Sequence, residues 1–67
     1  APGWSIECKS RERVPAYLDD ALAQAAINAT PGTTPLVILH QSGWKHEHDI
    51  VLLRMSDFEE LYGRLTE

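Results

Sequence analysis

A chain of 67 residues makes one small domain, 1–67, and at this size only about 60% of the extended surface can be buried, so the core is marginal and a partner or a missing segment is expected. The net charge of −4 argues against a grip on nucleic acid through an overall basic surface, and a single cysteine rules out an internal disulfide or a cysteine-built metal centre. The 43% hydrophobic content is ordinary for a globular chain, with no apolar run long enough for a bilayer and no signal-peptide pattern, so a soluble, intracellular, cytoplasmic protein without a membrane is expected.

The chain opens at Ala1 on the turn dipeptide Pro2-Gly3, which leads to the expectation that another element precedes it. In Trp4-Ser5-Ile6-Glu7-Cys8-Lys9 the apolar residues alternate with polar ones, the period of a half-buried strand. Side chains two apart point the same way, so Glu7 and Lys9 share one face while Trp4, Ile6 and Cys8 anchor the other. A carboxylate in that place can hold a hard cation such as Mg²⁺, and an ammonium beside it can orient a water or steady charge on a phosphate. The plainer alternative is an exposed ion pair worth a few tenths of a kcal/mol. Arg11 and Arg13 follow as a local basic cluster beside this pair.

From Arg13 the period changes. Pro15 suits a first helical residue, and Ala16 to Asn28 is free of Gly and Pro, which predicts a helix with Leu18, Ala21, Leu22, Ala25 and Ala29 on its packing stripe. Gln24 lies on the flank, where it either reaches back toward Glu7 and Lys9 or is simply solvated. Asn28-Ala29-Thr30 matches a glycosylation sequon, read as chance without a secretory signal. Turn residues from Thr30 to Thr34 end the helix. Pro35 introduces Leu36–Leu39, an apolar run expected to be a strand buried on both faces and to complete a right-handed βαβ unit.

A polar loop, His40 to Asp49, precedes a further strand from Ile50 to Met55, expected antiparallel to the one before. Ser56-Asp57-Phe58-Glu59 reads as a capping box opening a helix to about Leu65, with Phe58, Leu61, Tyr62 and Leu65 inward. The predicted order is β-α-β-β-α, an α/β arrangement of a mixed sheet with helices packed on it. Three readings compete for the loop. It can be a solvated hairpin tip, a transition-metal site built from His40, His46, Glu47, His48 and Asp49, or a groove in which His40, Gln41 and Lys45, with Trp44 as stacking surface, hold a sugar-phosphate backbone.

Taken together, Pro2 to Lys9, an Ala-rich helix with Gln24, an apolar strand ending in His40, a hairpin and Ser56-Asp57-Phe58-Glu59-Glu60-Leu61 resemble the C-terminal half of phage-encoded Holliday-junction-resolvase-like nucleases of the PD-(D/E)XK superfamily. The resemblance implies part of a restriction-endonuclease-like fold without its N-terminal elements, and Mg²⁺-dependent (or Mn²⁺-dependent) endonucleolytic hydrolysis of branched DNA by a homodimer. It implies that Glu7 is a metal ligand, the Cys8 carbonyl a second one, Lys9 the residue that orients water and Gln24 an auxiliary group. Arg11, Arg13, His40 and Lys45 would then contact DNA. The family's other metal-binding Asp precedes E-x-K, whereas Asp19, Asp20, Asp49 and Asp57 all follow it here. The expectation is therefore that this stretch alone does not cut DNA. The alternative is a small non-catalytic module that binds a protein partner through its sheet edge.

Overall fold

The structure, a computed structural model, describes residues 3–63. Helix α1 spans Ala16–Asn28, strand β1 Val37–Leu39, strand β2 Ile50–Leu52 and helix α2 Met55–Tyr62, with one 3-10 turn at His46–His48 between the strands. The described residues form a small mixed α/β domain: two helices and a two-stranded antiparallel ribbon.

Helix α1 is built as its residue pattern predicts. Leu18, Ala21, Leu22, Ala25 and, just beyond the helix, Ala29 are its half-buried positions, and α1 packs against β1. Pro15 stands one place outside the helix, at the N-cap with ψ 130°, and its carbonyl accepts from the Leu18 N–H at 3.1 Å. The helix stops because Thr30-Pro31-Gly32-Thr33 turns the chain. Pro31 presets φ at the second turn position, Gly32 takes φ +83° at the third, and the Thr33 N–H donates to the Thr30 carbonyl at 3.1 Å.

The ribbon pairs Val37 with Leu52, Ile38 with Val51 and Leu39 with Ile50. Directly opposed residues share a face, so Val37, Leu39 and Leu52 form one half-buried face. The expected burial of Leu36–Leu39 on both faces is not found, since Ile38 and Val51 on the other face are 50% and 55% exposed. No parallel neighbour covers them, because the expected βαβ unit is absent among the described residues: Trp4 to Lys9 forms no strand and enters no ladder. Cys8, expected to face inward, is exposed for the same reason. A groove of about 590 Å³ is lined by Trp4–Glu7 together with Val51, Leu53, Met55 and Phe58.

What holds that N-terminal segment is aromatic contact. The Trp4 ring meets Phe58 edge-on at 5.3 Å and Tyr62 at 5.7 Å, and Phe58 and Tyr62 lie 5.1 Å apart. Such pairs contribute about 0.5–1.5 kcal/mol each beyond burial. The expected strand Ile50 to Met55 is cut short at Leu52, because Met55 already belongs to α2. With Arg54 as N-cap, Ser56 is the second helical residue and makes no capping hydrogen bond, so the expected capping box does not form. Asp57 instead sits in the first turn, where the exposed N–H groups favour an acid. Gly63, at φ +83°, ends α2 after Tyr62, and its N–H donates to the Glu59 carbonyl at 2.8 Å. Leu65, expected on the inward stripe, lies outside the described residues.

No described residue is fully buried. The accessible surface is 6055 Å², against about 4200 Å² for a typical folded monomer of this mass. The radius of gyration is 13.6 Å where about 11 Å is usual for this length. Elements are thus tied by local contacts more than by a shared core, which leaves charged side chains accessible on every side.

Candidate active site

Glu7 and Lys9 lie on the same side of the extended segment, with the Lys9 ammonium 3.6 Å from Glu7 Oε2. Their side chains are 81% and 79% exposed, so neither is committed to packing. Their spacing of two is the one that brings side chains to one side wherever the backbone is extended, with or without a ladder. Ser5 and Glu7 line the groove together with Trp4, Ile6, Val51, Leu53, Met55 and Phe58. A carboxylate therefore stands in an open cleft of mixed polar and apolar lining.

Gln24 is exposed on α1 and, among the described residues, makes no hydrogen bond to Glu7 or Lys9. Arg11 and Arg13 line a second concavity with Val14, Pro15, Ala16, Asp19 and Asp20 at the start of α1. Asp19 is already engaged there, because Arg54 Nη2 donates to its Oδ1 at 2.5 Å and so ties α1 to the start of α2. Both partners are half exposed, which limits the pair to roughly 0.2–1 kcal/mol.

In the loop, His40, His46 and Asp49, grouped in the sequence as part of a candidate metal site, are joined by hydrogen bonds instead. Asp49 Oδ1 accepts from His40 Nδ1 at 2.5 Å and Asp49 Oδ2 accepts from His46 Nδ1 at 3.0 Å. The Asp49 side chain is only 8% exposed, although both imidazoles reach solvent. The hydrogen bond from His40, helped by its charge and by His46, holds the Asp49 carboxyl below the usual carboxylate range against the opposing effect of desolvation. Two features of the chain account for the cluster. Continuing the ribbon register one pair beyond Leu39 and Ile50 sets His40 opposite Asp49. The 3-10 turn, whose Asp49 N–H donates to the His46 carbonyl at 3.0 Å, brings residues three apart to one side. Both signals were readable as a His-x-x-Asp spacing next to a strand end. The turn Gln41-Ser42-Gly43-Trp44, with Gly43 at φ +89°, reverses the chain between them.

Of the three readings of the loop, the metal site is not supported: among the described residues no group of three or more His, Cys, Asp or Glu side chains is placed to hold an ion. Asp49 spends its oxygens on imidazole N–H groups, and His48 turns to Glu47 instead, at 4.0 Å. Lys45 directly precedes the 3-10 turn and enters no ion pair among the described residues. His40 and Lys45 thus flank a loop with an ordered interior contact. No helix among the described residues is long and apolar enough to cross a membrane.

Comparison of the chain with protein-family models, with curated proteins and with solved structures finds no match.

Proposed function

We propose that this domain belongs to a divalent-metal-dependent DNA endonuclease of the PD-(D/E)XK kind, acting on branched DNA. One observation carries this reading: an acid and an amine, Glu7 and Lys9, stand 3.6 Å apart and open to solvent, with Glu7 lining a groove. A structural ion pair would be expected to brace two elements, as Arg54 and Asp19 do, whereas this one joins residues of a single extended segment.

The donors available for a cation are the Glu7 carboxylate and the Cys8 backbone carbonyl, both hard oxygens of the kind that Mg²⁺ and Mn²⁺ prefer. One carboxylate suits an ion that takes the rest of its shell from water and phosphate oxygens, which predicts weak binding without substrate. A bound divalent ion would polarise the scissile phosphate and make a water more acidic. Glu7 holds and orients; the Lys9 ammonium donates hydrogen bonds to the attacking water or to a phosphate oxygen. Arg11, Arg13, His40 and Lys45 then contact backbone phosphates, and Gln24 assists from α1 if α1 approaches the bound strand.

Calorimetric titration of this chain with Mn²⁺ tests the metal role, with binding expected for the native sequence and lost in Glu7→Ala. Cleavage of a four-way DNA junction by the encoded protein tests the reaction, and Lys9→Ala is expected to lower the rate by about 10²–10⁴. Metal binding unchanged by Glu7→Ala would sink this assignment.

A second reading is a module that recruits a further chain by strand pairing, including a second copy as in a homodimer. The two-stranded ribbon favours it, since the outer edges of β1 and β2 join no other strand among the described residues. Sedimentation of the chain across a concentration series separates a monomer from such a dimer.

A further inference from the structure

We propose that residues 40–49 form a phosphodiester-binding surface switched on by protonation of its histidines, with Asp49 as the residue that positions them. The choice of ligand rests on the DNA reading above; the switch itself rests on the loop.

All three histidines of the chain lie in this segment, together with Lys45, Glu47 and Asp49. With neutral imidazoles the segment carries one net negative charge, and with protonated imidazoles two net positive charges, so its sign reverses. The same protons cancel three of the four excess negative charges of the whole chain. Imidazole is the side chain whose charge changes between about pH 5 and 8. Protonation of the three rings thereby gives an acidic protein a local cationic face.

Geometry decides which nitrogen does the switching. An ionised carboxylate only accepts hydrogen bonds, so His40 and His46 each keep a proton on Nδ1 to donate to Asp49, whether the ring is neutral or charged. The proton that comes and goes is on Nε2, across the ring from the anchor. His46 is 94% exposed and His40 half exposed, which leaves those nitrogens open to a ligand. Acidification thus adds a charged N–H donor without breaking the contact that aims it. The groups facing this anchor are His40 from the end of β1 and His46 from the 3-10 turn, while His48 faces Glu47 at 4.0 Å. Asp49 itself stays ionised throughout, since its hydrogen bonds hold the carboxyl below the usual carboxylate range. Trp44, partly exposed beside Lys45, offers a flat face on which a base can stack.

The test is binding of a fluorescent four-way DNA junction across a salt series at about pH 5.5 and about pH 8. Each phosphate neutralised contributes about 0.9 to the slope of log affinity against log salt, so acid pH is expected to steepen it by about 2 to 3. His40→Gln and His46→Gln are each expected to remove about 0.9 of that step. Asp49→Asn separates positioning from simple charge: the variant is one charge more positive, which alone would strengthen binding, yet the step is expected to shrink. Long-range ¹H–¹⁵N spectra of the imidazoles without DNA are expected to show Nδ1–H tautomers for His40 and His46 at high pH. Overturning results are an unchanged slope between the two pH values, a full step retained in both glutamine variants, Nε2–H tautomers, or an equal step with polyglutamate, which would place an acidic protein there. If Glu7→Ala leaves metal binding intact while the pH step stands, the nuclease reading falls and this surface does not.

Discussion

Two acid-base contacts in this protein use similar groups and differ in almost every physical respect. Asp49 is nearly shielded from water and ties together the end of β1, the 3-10 turn and the start of β2 through two hydrogen bonds. Glu7 and Lys9 are almost fully in water, 3.6 Å apart, and tie nothing to anything. Exposure sets the difference: water screens an exposed pair to a few tenths of a kcal/mol, whereas a shielded carboxylate needs its partners. The loop contact therefore joins three elements, whereas the Glu7 and Lys9 pair stays within one segment.

The comparison also holds for the segments that carry these groups. Residues 16–62 are joined by the ribbon, by α1 against β1 and by Arg54 to Asp19. Residues 4–9 depend on Trp4 against Phe58 and Tyr62. The largest effect is expected where these regions meet. Phe58→Ala removes the ring that both Trp4 and Tyr62 meet, and since Phe58 is half buried it should cost about 2 kcal/mol, half the value for a fully buried ring. Urea unfolding followed by tryptophan fluorescence reads that loss, and no change in midpoint would mean that Trp4 does not report on this contact.

Next is the acid limb of stability. A carboxyl whose folded pKa is depressed contributes stability that is fully present above its unfolded value and is lost as the pH falls through the folded one. For Asp49 the loop contact should therefore hold at neutral pH and weaken below about pH 4. Hydrogen exchange at the amides of 44–49 follows it. Asp49→Asn keeps one acceptor and replaces the other with a donor that an Nδ1–H cannot meet, so those amides should exchange faster at neutral pH and lose their acid dependence. Arg54→Ala is expected to cost only about 0.5 kcal/mol, because its partner is exposed. Smallest of all, Glu7→Ala should shift unfolding by less than about 0.5 kcal/mol. A larger shift would make the Glu7 and Lys9 pair structural and remove the contrast.

Much of this organisation was legible in residue order. Helical spacing identifies the α1 stripe from Leu18 to Ala29, Pro31-Gly32 marks its end, and antiparallel pairing of the two apolar runs follows from the polar connection between them. Alternation brings Glu7 and Lys9 to one side. Other features were not legible. Trp4 to Lys9 has a strand's period but no ladder, since period reports which side chains share a face and says nothing about a hydrogen-bonding neighbour. The Ser56 capping box fails because α2 begins two residues earlier, with Arg54 in place of Ser56 as N-cap and the Phe58 N–H donating to the Arg54 carbonyl.

Local periods, turns and the charge that the chain carries follow from residue order, because they depend on neighbours a few residues apart. Only the tertiary structure decided that His40 and His46 share Asp49, that Trp4 docks on α2, and that the Val51 face stays open. Those outcomes join residues far apart along the chain or depend on what packs against them, and there solvent exclusion decides which contacts count.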